Sequence, residues 1–204
     1  MPTKNHYTNT IYQEYQSAVT ITQNLPFQTV TFYGGANVEQ NTKVYQDAYE
    51  LAIQFTKLGW GVVTGGGLGV MKAGSDGTKS VDKNKSIVYQ MKKIDQQPSG
   101  TDNHSNNLIF ENFAPRKFAL RQSDIYVYFS GGLGTLDELM ENLNLIKTQK
   151  TPSVPIYLYD SSYWAGLIDW LTNTTLQRGL LDKSFLDVIK IVDTPTQIIA
   201  KIKY

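Results

Sequence analysis

The chain has 204 residues, no cysteine and a formal net charge of +1, with an ordinary share of apolar and charged residues. That length allows one well-buried domain and leaves little for two. Disulfides, thiolate metal sites and a cysteine nucleophile are excluded, and the near-neutral charge offers nothing to nucleic acid or to a strongly charged partner.

Met1 to Gln16 is polar and lacks the apolar centre of a signal peptide, and no stretch is apolar enough to span a membrane, so a cytoplasmic protein is expected. Thr10 to Leu25 places Ile11, Tyr12, Tyr15, Val19 and Ile21 at helical spacing. It predicts an N-terminal helix that leans on the domain or on a second subunit and is ended by Pro26. Thr29 to Tyr33, β-branched and aromatic, reads as a strand, and Gly34-Gly35-Ala36 follows at once. The carboxyl end of such a strand is where parallel sheets bind ligands. Thr42 to Leu58 has one apolar face and stops at Gly59, which is a helix. Trp60 to Thr64 is the next strand; it runs into Gly65-Gly66-Gly67-Leu68-Gly69-Val70-Met71, and a helix is predicted from Val70 to Lys79.

Ser86 to Met91 reads as a third strand, Lys92 to Asn106 as a long polar loop containing His104, and Leu108 to Phe110 as a short strand. Pro115 to Gln122 predicts a helix with proline in its first turn, bearing Arg116 and Lys117. Asp124 to Phe129 is a buried strand, and Leu136 to Gln149 a helix with an apolar face. Val154 to Tyr159 is predicted as a strand, Ser162 to Leu171 as a helix, Phe185 to Val192 as strand-like, and Pro195 to Ile202 as a closing helix. Strands and helices alternate throughout. The expected architecture is α/β: a three-layer, doubly wound parallel sheet in a single domain, 1–204, with 1–25 as a helical extension.

The most informative segment lies between the strand Asp124 to Phe129 and the helix Leu136 to Gln149. Ser130-Gly131-Gly132-Leu133-Gly134-Thr135-Leu136-Asp137-Glu138 joins the strand ending at Phe129 to the helix beginning at Leu136. Its glycines let the backbone turn sharply and a ligand come close, and the helix start offers N–H groups and a positive dipole end to a phosphate. Glu138, expected in the first helical turn and off the apolar face, would point toward that ligand. Thr135-x-x-Glu138 is equally a capping box, in which both side chains serve the helix start. The two readings stand side by side here.

Several chemistries drop out. Neither glycine turn fits Gly-x-Gly-x-x-Gly, no Gly-Lys-Ser/Thr closes a glycine loop, and Gly-x-Ser-x-Gly is absent. His6 and His104 stand far apart without metal-ligand spacing, so no metal site is expected.

These motifs resemble the Lonely Guy (LOG) family, cytokinin-activating phosphoribohydrolases whose bacterial members often carry a "lysine decarboxylase" label. The family pattern Pro-Gly-Gly-x-Gly-Thr-x-x-Glu is matched by Ser130 to Glu138, with Ser130 in place of proline. Gly-Gly-Gly-x-Gly-x-Met is matched by Gly65 to Met71, the Arg-Lys pair by Arg116-Lys117, Ser-Asp by Ser123-Asp124, and the opening Gly-Ser by Gly34-Gly35. Thr148-Gln149-Lys150 and Tyr163-Trp164 resemble the bacterial branch, and the likeness runs from about Thr29 to Lys203.

The resemblance implies a Rossmann-like fold, a homodimer, and hydrolysis of an AMP-like nucleoside 5′-monophosphate to free base and ribose 5-phosphate without a cofactor. It implies Glu138 and Arg116 as catalytic residues. The binding residues it implies are Gly34, Gly35, Ala36, Gly66, Gly67, Gly69, Met71, Lys117, Gly131, Gly132, Leu133, Gly134 and Thr135. One departure bears on geometry: Arg116 lies fourteen residues before Ser130, one fewer than in the family pattern. One residue lost from a helix rotates its start by about 100°. Either the helix is rebuilt so that Arg116 faces the site, or Lys117 or Arg121 replaces it, or turnover weakens. A non-catalytic nucleotide-binding or regulatory protein with the same pocket is therefore the alternative to the enzyme.

Overall fold

A computed structural model describes residues 4–92 and 106–202. Among these residues a sheet forms from β1 (Thr29–Tyr33), β2 (Gly61–Thr64), β3 (Ser86–Met91), β4 (Asn106–Phe110), β5 (Ile125–Tyr128), β6 (Ile156–Tyr159) and β7 (Ile189–Val192). Its order is β4-β3-β2-β1-β5-β6-β7, and every neighbouring pair is parallel. The helices are α1 (Lys4–Gln23), α2 (Lys43–Lys57), α3 (Val70–Lys79), α4 (Phe113–Leu120), α5 (Leu133–Lys147), α6 (Ser161–Trp170), α7 (Lys183–Leu186) and α8 (Pro195–Ile199). A π-helical turn, Leu171–Leu176, extends α6. None of these helices is long and apolar enough to cross a membrane.

The inner strands β1, β2, β5 and β6 are buried on both faces, as the centre of a parallel sheet requires, while the edge strands β4 and β7 are partly exposed. Alternate residues of β1 and β5 serve the two layers. Val30, Phe32, Ile125, Val127 and Phe129 pack with Leu51, Phe55 and Trp60 on one face. Tyr33, Tyr126 and Tyr128 pack with Leu120, Leu139 and Trp164 on the other. On that second face α1 lies against α4, with Ala18 fully buried and the Tyr15 and Phe118 rings meeting edge-on at 5.5 Å. Polar groups at the foot of the sheet are paired: Thr31 donates its hydroxyl to the Leu120 carbonyl at 2.7 Å, and Asp124 accepts the Thr29 N–H at 2.8 Å. These bonds tie the end of α4 and the start of β5 to β1.

Four expectations change. The helix after β5 starts at Leu133, not Leu136, with Gly132 as its N-cap and no side-chain cap. Thr135 and Glu138 are thus third and sixth in the helix, and they form no capping box. Helical winding begins directly after the strand exit, with the extended cap at Gly132, so Thr135 already lies inside the helix and cannot act as its cap. The strand-like stretch Phe185 to Val192 divides into the short α7 and β7, because a short apolar run carries no period that separates strand from helix. The N-terminal helix begins at Lys4, well before Thr10. β4 takes in Asn106 and Asn107, whose backbones pair with Ile87 and Val88. Of the expected polar loop, residues 93–105, with His104, lie outside the described residues.

Candidate functional site

The strand order reverses between β1 and β5, and at such a switch point the loops leave a crevice at the carboxyl edge. Here the two exits touch: the Gly35 N–H donates to the Ser130 carbonyl at 2.9 Å. A cavity of about 250 Å³ opens beside them. Its wall takes Gly34, Gly35 and Ala36 from the β1 exit, Gly66, Gly67 and Met71 from the β2 turn, and Arg116 and Lys117 from α4. From α5 it takes Gly132, Gly134, Thr135 and Glu138. Gly69, Gly131 and Leu133 are not part of the wall. Gly69, at φ 58°, approaches the backbone of Gly35 and Ala36, and the Leu133 side chain is 86 % exposed. Gly65 and Asp137, members of the two glycine motifs but not among the expected binding residues, also line the cavity, as do Gln90, Met91 and Phe113, which no motif includes. The signal for Gln90 and Met91 was their place at the carboxyl end of β3.

Arg116 is held from three sides. Its Nε donates to the Tyr89 carbonyl at 2.8 Å, Nη2 to the Gly65 carbonyl at 3.3 Å, and Nη1 to Glu138 Oε1 at 3.4 Å. The Arg116 and Glu138 side chains are only 12 % and 16 % exposed, which shields their attraction from solvent. Burial pushes the Glu138 carboxyl up to about 7, against the pull of Arg116; Asp137 adds to the rise. Near neutral pH Glu138 is therefore divided between its two protonation states.

Lys117, which also reaches the cavity wall, and Arg121 pair with other carboxylates. Lys117 Nζ lies 3.0 Å from Asp137 and 2.5 Å from Glu141, and Arg121 Nη1 lies 3.0 Å from Glu141. Burial works against the Lys117 charge, but Glu141 and Asp137 outweigh it and raise its pKa. α4 is thus wound so that Arg116, and not its two basic neighbours, reaches Glu138.

Beneath Glu138 lies a buried polar network. The Tyr128 hydroxyl donates to the Glu138 backbone carbonyl at 3.3 Å, and Asn142 Nδ2 donates to the Tyr128 and Tyr33 hydroxyls at 2.7 and 3.3 Å. The Tyr33 and Tyr128 rings stack 4.5 Å apart at 9°. Burial raises both phenol pKa values well above their usual range, so both rings stay neutral. The network locks the rotation of α5 and with it the direction of Glu138. Among the described residues, no group of three or more His, Cys, Asp or Glu side chains is arranged to hold a metal ion.

The family model described as "Possible lysine decarboxylase" matches residues 68–202. No curated protein matches the sequence. Among solved structures, a molybdenum cofactor binding protein from the phototrophic bacterium Rippkaea orientalis is similar at 23% identity and a TM-score of 0.60, over 87% of this chain and 96% of that one. The molybdenum cofactor carrier protein of Chlamydomonas reinhardtii is similar at 20% identity and a TM-score of 0.56, over 85% and 94%. Identities this low carry the fold alone.

Proposed function

From the premise that the chain belongs to the "Possible lysine decarboxylase" family, the LOG-like family its motifs resemble, we propose that it is a nucleoside 5′-monophosphate phosphoribohydrolase. The observation that carries this reading is the largely buried Arg116–Glu138 pair, set in the wall of a cavity bounded by both glycine turns.

Water would add to C1′ of the ribose while the C1′–N bond breaks. The base leaves with the bonding electrons and takes up a proton. Positive charge grows on the ribose as this happens, and the Glu138 carboxylate stabilises it and accepts the proton of the attacking water. Arg116 holds Glu138 in place and offsets negative charge on the substrate. The 5′-phosphate would sit at the start of α5. A Cβ added at Gly132 or Gly134 meets nothing within 4 Å, so no protein packing requires glycine there, and this open space in the cavity wall would admit the phosphate. The reaction balances with water alone.

The decarboxylase description would call for pyridoxal phosphate and a lysine amine able to form a Schiff base. Among the described residues the lysine in the cavity wall is Lys117, held charged by Asp137 and Glu141. A protonated amine is no nucleophile, so the residues do not fit that cofactor.

The test is base release. Purified protein is incubated with AMP, GMP, CMP, UMP and isopentenyl-adenosine monophosphate, and free base and ribose 5-phosphate are followed by chromatography. Release is expected to be lost in Glu138→Ala, and to rise with pH through about 7 as Glu138 ionises. Binding without release would overturn the hydrolase and leave a binding protein. A homodimer is proposed with it, checked by sedimentation.

A further inference from the structure

α6 reaches back to the glycine turn after β5. The Tyr163 hydroxyl donates a hydrogen bond to the Gly131 carbonyl. The start of α6 that carries Tyr163 is firmly set. Asp160 caps it, its Oδ1 accepting the Tyr163 N–H at 3.2 Å, and adopts a left-handed backbone at φ 80°. That conformation is held by the Asp160 N–H on the Val192 carbonyl at 2.9 Å and by the Ser161 N–H on Asp193 Oδ1 at 2.8 Å. Next in sequence, Trp164 is buried and donates to the Tyr159 carbonyl at 3.0 Å. Its ring meets the Tyr163 ring edge-on at 5.0 Å. The phenol is thus presented from a rigid base.

The bonded carbonyl belongs to the peptide joining Gly131 to Gly132. That peptide is trans, so the Gly132 N–H points opposite to the Gly131 carbonyl. Gly132 lines the cavity and Tyr163 does not. The Gly132 carbonyl accepts the Leu136 N–H at 3.1 Å, whereas the Gly132 N–H has no partner among the described residues. Two consecutive glycines following Ser130 put little restraint on this peptide from within the turn. The restraint comes from outside it, from Tyr163 on one side and the Gly35–Ser130 bond on the other.

We propose that Tyr163 is a positioning residue: by fixing the Gly131–Gly132 peptide it directs the Gly132 N–H into the cavity as a donor for the phosphate group of the ligand. The identity of that group rests on the phosphoribohydrolase reading. Tyr163 itself touches no substrate. It works by denying the peptide its flipped orientation, in which a carbonyl oxygen would face the anion.

The test compares wild type with Tyr163→Phe, which keeps the ring and its contact with Trp164 and removes only the hydroxyl. Ribose 5-phosphate is the probe, followed by calorimetry and by the ¹⁵N–¹H resonance of Gly132. In the wild type the ligand should shift that resonance. In the variant the Kd should rise about 3- to 10-fold, the scale of one hydrogen bond, and the ligand-induced Gly132 shift should shrink. The Tm should stay within about 2 °C, because the hydroxyl contributes little to folding at this half-exposed position. An unchanged Kd overturns the inference while the phosphate site stands. A weaker Kd with the Gly132 shift intact also overturns it, because the loss would then come from elsewhere. A wild type that binds no ribose 5-phosphate overturns the phosphate site and this inference together. Binding with no base release overturns only the hydrolase.

Discussion

In the turn after β2, a Cβ added at Gly65 would lie 2.2 Å from Arg116 Nη2, and one at Gly69 would lie 2.2 Å from the Gly35 carbonyl oxygen. In the turn after β5, a Cβ at Gly132 or Gly134 would meet nothing within 4 Å. Two stretches that read alike in sequence thus use glycine differently. The first is a scaffold: its glycines make room for other parts of the protein, for Arg116, for Met71 and for the neighbouring loop. Two of them, Gly66 and Gly69, also have positive φ. The second is open toward the cavity. Only Gly131 is crowded, by Thr135 and the backbone of Gly35. On the phosphoribohydrolase reading, the open space that Gly132 and Gly134 leave at the helix start is where the phosphate would sit, although glycine at Gly134 weakens the first turn.

This contrast is open to direct attack. Gly69→Ala should have the largest effect, a loss of about 3 kcal/mol or more in urea unfolding, because positive φ and a backbone clash act together. A loss below about 1 kcal/mol would break the contrast at its strongest point. Glu138→Gln should come next, and its sign depends on pH. The native carboxyl titrates near 7 against a reference of 4.5, so the folded state holds the proton more tightly. That contribution is complete below the unfolded pKa and is lost as pH rises through about 7. The variant should match wild type near pH 4 and exceed it by roughly 1–3 kcal/mol near pH 9. Equal stabilities at both pH values would show that Glu138 is not strained by burial.

Gly65→Ala should cost stability only about 1–2 kcal/mol, since a guanidinium can swing aside, but base release should fall about 10- to 100-fold as Arg116 leaves Glu138. Unaltered release would detach Arg116 from the chemistry. Smallest is Gly134→Ala. It should raise stability by about 0.5–1 kcal/mol through helix propensity while weakening ribose 5-phosphate binding. A variant both more stable and equally tight would mean that the open space is not used.

Legibility in the sequence followed the range of each interaction. β1, α3 and β3 were read with the bounds observed, because alternation, helical spacing and flanking glycines are written in neighbouring residues. The start of α5 was misplaced by three residues, since a threonine cap and a glycine cap compete locally and only the strand exit decides between them. The choice among Arg116, Lys117 and Arg121 stayed open for the same reason. All three are basic, and what separates them is the partner each meets across the fold: Glu138 for the first, Asp137 and Glu141 for the others. Gln90 and Met91 joined the wall because β3 lies beside β2, a neighbour relation that no local pattern encodes. In the sequence Tyr163 stands out only as half of the Tyr163-Trp164 pair, and its bond to Gly131 spans 32 positions.

By itself, then, the amino-acid order determined the alternating α/β architecture, the two glycine turns at strand ends and the presence of a carboxylate and a basic pair near them. Those depend on backbone geometry and on side-chain periodicity over a few residues. The tertiary structure decided which cation meets Glu138, why each glycine is a glycine, and what steadies the turn after β5. Each of those is a distance between segments remote in the chain, set by sheet order and by the way α4, α5 and α6 pack, and burial then set the carboxyl's affinity for its proton.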